Sequence, residues 1–380
     1  MSKLSWVFSG GGAKGAFGAG VFQRILHHYP TLDWQIVTGT STGSLIAPFA
    51  ALAATDRSKV DTLVSLYGNI RKKDVFKSNL KLFKLIAAIV DLPEGIVSLK
   101  PLRKLLRREL DVELAALNAS AIDLVVPAVN LQMAALVLCT QERNRQAITD
   151  WYGNQQLGSL MALEFWPFEE LIEAMLASSA VPLGTEPIRR GEFQYVDGGV
   201  FDKAPLREAL ALGASEALVV MMSPTRPSPK DKRFKNFVEV GLRAVDLLQD
   251  EVLRGDIDNL RLAQSLHHKG IAVEQLGEAA PEVCAYMSAM ENAAPASAAD
   301  GQSHPGMRPL IIEPAVSIGS GDDFDSTVPP GWPESGAPDP NRDASTDIPI
   351  MQARIAYGQR RVDALLAEPG SALKALLDSR

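Results

Sequence analysis

The segment Gly39-Thr40-Ser41-Thr42-Gly43 fits the pattern GxSxG, in which a serine hydroxyl can attack a carbonyl carbon. In such an elbow the serine stands on a sharp turn from strand to helix, and the flanking glycines keep neighbouring side chains clear. A Ser/Thr-rich helix cap would use similar residues. A hydroxyl needs a base to become a nucleophile, and the usual one is histidine. The chain has five: His27, His28, His267, His268 and His304. The first two pairs read as helix ends, and His304 lies in a loop of small residues, so none stands in a recognisable catalytic setting. Asp197-Gly198-Gly199 offers a carboxylate instead. An Asp-Gly turn is common in itself, but an aspartate at a strand end followed by glycines can project its carboxylate into a crevice.

A third stretch, Gly10-Gly11-Gly12-Ala13-Lys14-Gly15, stands between an apolar run and a helical pattern. Glycines there let backbone approach a ligand and leave N–H groups free at a helix start, which suits any anion. The run also fits GxGxxG through Gly10, Gly12 and Gly15. A dinucleotide site would then expect an acidic residue at the end of the second strand. Gly39, Thr40 and Ser41 stand there instead, and Asp33 precedes that strand. A phosphate loop fails as well, because Lys14 precedes Gly15 and GK[ST] is missing. No nucleotide is expected.

These residues must be held by a frame, and the hydrophobic pattern supplies one. Leu4 to Ser9 reads as a buried strand, Ala16 to His28 as a helix, Trp34 to Thr38 as a second strand and Ser44 to Ala54 as a second helix. Strand, glycine turn and helix, twice over, opens an α/β fold with a parallel sheet. Val60 to Ile70, Leu102 to Leu110, Phe168 to Ser178 and Leu206 to Leu212 read as helices. Ile122 to Asn130 and Ala134 to Thr140 read as paired strands, and Phe193 to Val196 and Ala217 to Ser223 as further ones. After Pro224 the texture changes. Phe234 to His268 reads as one or two helices, Leu310 to Glu313 as a last strand, Asp322 to Asp347 as a mobile loop and Ala353 to Leu366 as a closing helix.

Taken together and in this order, the glycine run, GTSTG and DGG resemble the patatin-like phospholipase family. Ala177-Ser178-Ser179-Ala180-Val181-Pro182 is similar to the family's ASxAxP stretch, and Leu99-Lys100-Pro101-Leu102-Arg103 to its PLR element. Asp197 to Pro205 follows its DGGxxxNxP region, except that Lys203 stands where many members carry Asn. The resemblance implies a Ser–Asp pair without histidine: Ser41 as nucleophile and Asp197 as base. It implies an oxyanion hole from the N–H groups of Gly10, Gly11 and Gly12, supported by Lys14, Gly15, Gly39, Gly43, Gly198 and Gly199. It implies a three-layer α/β/α fold with a central, mostly parallel sheet, and a mainly helical C-terminal extension. Residues 1–225 are then the catalytic domain, and residues 226–380 an extension with mobile loops packed on that same domain.

The expected activity is hydrolysis of ester bonds in phospholipids or lysophospholipids through an acyl-enzyme. A broad esterase or thioesterase on small acyl substrates, or a silent binding protein of the same fold, are the alternatives. Burial is expected to raise the proton affinity of Asp197, because a carboxylate with a pKa near about 4 is a poor base for serine. No cofactor and no metal are expected. The net charge of -7 gives nucleic-acid binding no support. Cys139 and Cys284 form no CxxC pair, and read as free thiols of a reducing, cytoplasmic compartment. The N-terminus shows no cleavable signal, and no apolar run reaches the roughly 20 residues of a membrane span. Lys73, Lys77, Lys81 and Lys84 recur at helical spacing, with Phe76, Phe83 and Ile86 opposite. That stripe reads either as a surface helix packed on the core or as peripheral contact with an anionic membrane.

Overall fold

Lys3–Phe8 (β1) is buried from Leu4 onward. Burial on both faces is the mark of an inner strand in a parallel sheet. In the computed structural model, which describes residues 2–78, 97–154, 162–225, 233–269, 283–284, 286–287, 308–319, 321–328 and 348–380, β1 has parallel neighbours on both edges. The other strands are β2 (Ile36–Gly39), β3 (Lys77–Ser78), β4 (Val97–Ser98), β5 (Asp123–Asn130), β6 (Ala135–Thr140), β7 (Ala162–Trp166), β8 (Ile188–Arg190), β9 (Phe193–Asp197), β10 (Ala214–Val220) and β11 (Arg308–Ile312). The order β11-β10-β1-β2-β5-β6-β7 forms the main sheet, with β9 on β5 and β8 on β9. Pairings in this sheet are parallel except β5 with β6, β5 with β9 and β8 with β9, and β3 and β4 form a separate antiparallel pair.

The α-helices among the described residues include α1 (Gly15–His28), α2 (Thr42–Leu52), α3 (Ser58–Asn69), α4 (Lys72–Val75), α5 (Lys100–Leu110), α6 (Leu114–Ala119), α7 (Glu142–Asn154), α8 (Leu171–Ser178), α9 (Leu206–Ala211), α10 (Phe237–His268), α11 (Ile350–Ala367) and α12 (Ala372–Asp378). They cover the sheet on both faces. Trp6 and Phe8 of β1 pack with Phe17 and Phe22 of α1 in one core, while Val7 joins Ile148, Leu206 and Leu253 in the other. Alternate side chains of one strand thus feed opposite cores, which is the period-2 logic of a sheet. The fold is a three-layer α/β/α arrangement around a mostly parallel sheet, with a largely helical C-terminal region. That region is joined to the rest by β11, which pairs with β10, and by α11, which packs on α1.

The register of β5 decides where the chemistry sits. Its first residues, Asp123 to Val125, pair with parallel β2, and its last, Ala128 to Asn130, pair with antiparallel β9 along the same edge. β2 and β9 therefore run toward each other, and their C-terminal ends meet head to head. Gly39 ends one and Asp197 ends the other.

Some elements differ from the sequence reading. The second strand begins at Ile36, because Trp34 is buried in the core under the Arg57 guanidinium before the strand starts. Of the one or two helices expected over Phe234 to His268, the structure has one, Phe237–His268. Helix α7 and strand β7 carry no clean apolar period: α7 buries the polar Asn144 along with Ile148, Trp151 and Tyr152, and the side chains of β7 are mostly half-buried. The lysine stripe does not ride on one helix, because α4 ends at Val75 and Lys77 is in β3; Lys81, Lys84 and the residues opposite them lie outside the described residues. The start of the expected loop at Asp322 is packed, with Phe324 and Val328 buried, since these two apolar residues join the main core; its remainder to Asp347 lies outside the described residues. Among the described residues no helix is long and apolar enough to cross a membrane. Both cysteines are free thiols.

Candidate active site

Ser41 connects β2 to α2 with φ 54 and ψ −121, a conformation that side-chain-bearing residues avoid. Its surroundings hold it there. The Ser41 N–H donates to Ser178 Oγ at 2.9 Å, and Ser44 Oγ donates to Ser41 O at 2.6 Å. Just before it, Thr40 Oγ1 donates to Asp202 O at 2.9 Å. Gly43 lies so close to β1 that a Cβ there would stand 2.1 Å from Phe8 O. The second glycine of GxSxG is therefore required by contact with the neighbouring strand. The hydroxyl end of this turn opens on a cavity, and Ser41 is 6% exposed.

Asp197 is delivered from the opposite side. Its N–H donates to Ala180 O at 2.9 Å, and its Oδ1 accepts the Gly199 N–H at 2.7 Å. The Ser41 side chain lies close enough to favour the ionised carboxyl, and both residues line one cavity. The stretch Ser178 to Ala180 thus holds both residues, one through a hydroxyl and the other through a carbonyl. Asp197 is 2% exposed, and burial raises its pKa to about 6. The hydrogen bonds from Ser41 and Gly199 and the nearby charge of Lys203 pull it the other way, but desolvation wins.

The glycine run lies beside this pair. A Cβ on Gly10 would stand 3.3 Å from Ser41 Cβ. The three amides are not equivalent. The Gly10 N–H donates to Lys203 O at 3.0 Å, so it is already engaged, whereas those of Gly11 and Gly12 meet no acceptor among the described residues. Gly12 has φ +59, and a Cβ there would lie 2.3 Å from Gly321 O. Lys14 donates to Ser223 Oγ, and burial lowers its pKa to about 8. Gly15, Gly39 and Gly198 are spaced so that a Cβ would fall 2.2, 2.3 and 2.4 Å from Thr42 Oγ1, Gly43 O and Pro127 O respectively.

His27 and His28 lie elsewhere. His28 Nε2 is 2.8 Å from Asp363 and His27 Nδ1 is 3.0 Å from Arg24, at the far end of α1. His267 and His268 end α10, and His304 lies outside the described residues.

The cavity that Ser41 and Asp197 share has a volume of about 530 Å³. One arm is apolar, walled by Leu45, Phe49, Leu66, Leu102, Leu106 and Phe324. The other end is polar and includes Lys14, Lys203, Arg243, Asp246 and Asp250. Three features of the site escaped the sequence reading. The Gly321 carbonyl accepts the Ala13 N–H at 2.6 Å, and Gln249 of α10 lies against Gly199. Lys203 pairs with Asp250 of α10. For Lys203 the signal was present, as the one departure from the DGGxxxNxP pattern.

A family model described as patatin-like phospholipase matches residues 6–210. Among solved structures, VipD from Legionella pneumophila is similar at 11% identity, covering 99% of this chain and 71% of VipD's, with a TM-score of 0.38. The type III effector protein ExoU is similar at 15% identity over 74% of this chain and 61% of its own, with a TM-score of 0.27. Among curated proteins none matches.

Proposed function

This chain belongs to the patatin-like phospholipase family, and from that premise we propose that it hydrolyses the ester bonds of phospholipids or lysophospholipids through an acyl-enzyme on Ser41. The observation that carries the reading is that the buried Asp197 carboxyl and the Ser41 hydroxyl line one cavity with an apolar arm, beside the glycine loop. Ser41 Oγ attacks the ester carbonyl carbon while Asp197 takes the hydroxyl proton. The carbonyl oxygen becomes an oxyanion held by the free N–H groups of Gly11 and Gly12. Asp197 returns the proton to the leaving alcohol, and water releases the acyl group by the same route. The acyl chain lies in the arm walled by Leu45, Leu102 and Phe324. Helix α10, which lines the cavity through Leu242 and Val245, also exposes Phe237 and Leu248. Apolar side chains beside a lipid cavity support uptake from a membrane surface.

A fluorophosphonate probe should label wild type at Ser41 and leave Ser41→Ala unlabelled. The wild type should cleave long-chain phospholipid or lysophospholipid esters faster than short-chain nitrophenyl esters. Labelling elsewhere, or a sharp preference for short chains, would sink the reading.

The pH dependence follows from Asp197. Only its ionised form accepts the serine proton, and its pKa is about 6. The value of kcat/KM should therefore climb through pH 6 and level off above it. A profile that stays flat down to about pH 4, where an unperturbed carboxyl titrates, would contradict a buried base.

A further inference from the structure

Lys203 stands where a family pattern expects a neutral amide, and the structure gives this lysine several partners. Its Nζ donates to Asp250 of α10, and its carbonyl accepts the Gly10 N–H at 3.0 Å. Lys203 is 4% exposed and Asp250 9%, and both line the cavity beside Ser41 and Asp197. The neighbouring Gln249 lies against Gly199, the residue whose N–H binds Asp197: a Cβ on that glycine would be 3.0 Å from Gln249 Nε2. One and a half turns further along α10, Asp256 pairs with Arg207 at 2.8 Å, again buried. The chain from Asp197 to Glu208 is thus tied to α10 by two buried ion pairs.

We propose that Lys203 and Asp250 are positioning residues of the active site, holding an ammonium group beside the Asp197 carboxyl, so that α10 is a working part of the catalytic unit. The inference rests on Asp197 acting as the base. A surface ion pair would have no such role, because exposed pairs are screened and cost side-chain entropy. Here both partners are out of water, and removing one leaves the other's charge uncompensated next to the reacting groups.

The other charged groups at this end of the cavity are Lys14 from the glycine loop, Arg243 and Asp246 on α10, and Asp322 from the segment before α11. Arg354 of α11 acts on Lys14 from behind. Of all these, Lys203 lies closest to the pair on the geometry: a Cβ on Gly10 would stand 3.3 Å from Ser41 Cβ and 3.9 Å from Lys203 Cγ, and the Lys203 charge favours the ionised Asp197. A nearby cation favours the ionised carboxyl, and the anion paired with that cation offsets part of the effect. The two residues should therefore move the proton affinity of Asp197 in opposite directions when they are removed singly.

The test is the rate of fluorophosphonate labelling at Ser41 against pH, on the full chain. It compares wild type, Lys203→Met, Asp250→Asn and the double variant, each checked for folding by circular dichroism and thermal melting. Labelling reports the serine step without lipid aggregation. Lys203→Met should move the acid break upward by roughly one pH unit, and Asp250→Asn should move it downward. The double variant, which leaves neither charge stranded, should fall between Lys203→Met and wild type, and it decides the matter if a single variant does not fold. Coincident breaks in all folded variants would overturn the proposal while leaving Asp197 as base. A wild type without a break near pH 6, or Asp197→Asn labelling at the wild-type rate, would instead remove the reading beneath it.

Discussion

Asp197→Asn is expected to lower ester hydrolysis by roughly 10³- to 10⁴-fold and, at neutral pH, to make the protein harder to unfold. The loss follows from the chemistry. An amide keeps an acceptor for the Gly199 N–H but cannot take the Ser41 proton, and among the described residues no histidine replaces it: His27 and His28 lie at the far end of α1. The gain in stability follows from the same burial. Asp197 titrates near 3.8 in an ordinary setting and at about 6 in the folded protein. Between those values the folded state holds a proton that the unfolded state has released. The stabilising contribution is full below pH 3.8 and is lost as pH rises through 6.

At pH 7 the folded protein thus carries an ionised carboxylate that it would rather hold protonated. The gap between the two values corresponds to about 3 kcal/mol, offset in part by the weaker acceptor an amide provides. A net gain of about 1–2 kcal/mol is expected in denaturant unfolding at pH 7, turning into a net loss of about 1 kcal/mol at pH 4, where the charge penalty has gone and the weaker acceptor remains. Equal or lower stability of Asp197→Asn at pH 7, or retained hydrolysis, would contradict a base kept ionised against burial. Sites that hold a catalytic group in an unfavourable state commonly gain stability when that group is neutralised.

How much of this could be read from residues alone depends on distance along the chain. The elbow was legible, because the strand, the glycines and the helix around Ser41 are adjacent, and tight-turn chemistry is local. Asp197 became legible only through joint occurrence with the glycine run, since a lone Asp-Gly turn says little. What holds them was not visible. Ser178 and Ala180 stood out only as part of a stretch similar to ASxAxP, which gives neither a role, and their roles come from the head-to-head meeting of β2 and β9 along β5. That meeting is a matter of register, which no single stretch encodes. The same holds for Asp250, one acidic residue among several on a long helix, and for Gly321, whose carbonyl meets the glycine loop from far along the chain. The Gly10 amide shows the reverse: its type and place suit an oxyanion donor, yet the Lys203 carbonyl has taken it.

That distinction makes the glycine loop the place for the second large effect. Gly12→Ala is expected to slow hydrolysis by about 10²- to 10³-fold while costing only about 1–2 kcal/mol of stability. Gly12 sits at φ +59, where any side chain is strained, and its new Cβ would meet Gly321 O at 2.3 Å. That contact is with the Gly321 backbone and not with the core, so the loop can give way, and the fold survives. The shift carries the Gly11 and Gly12 N–H groups away from the point where the oxyanion forms. Losing one such donor raises a barrier by about 3 to 4 kcal/mol, because fixed dipoles in a water-poor site have no ready substitute. Ground-state binding uses the apolar arm, so KM should change little and kcat should carry the loss. Thermal melting beside steady-state kinetics separates the two: if activity falls only as far as the folded fraction does, the loop is a structural turn and the oxyanion donors lie elsewhere. If kcat falls a hundredfold in a protein that melts within a few degrees of wild type, the two free amides are the groups that hold the charge.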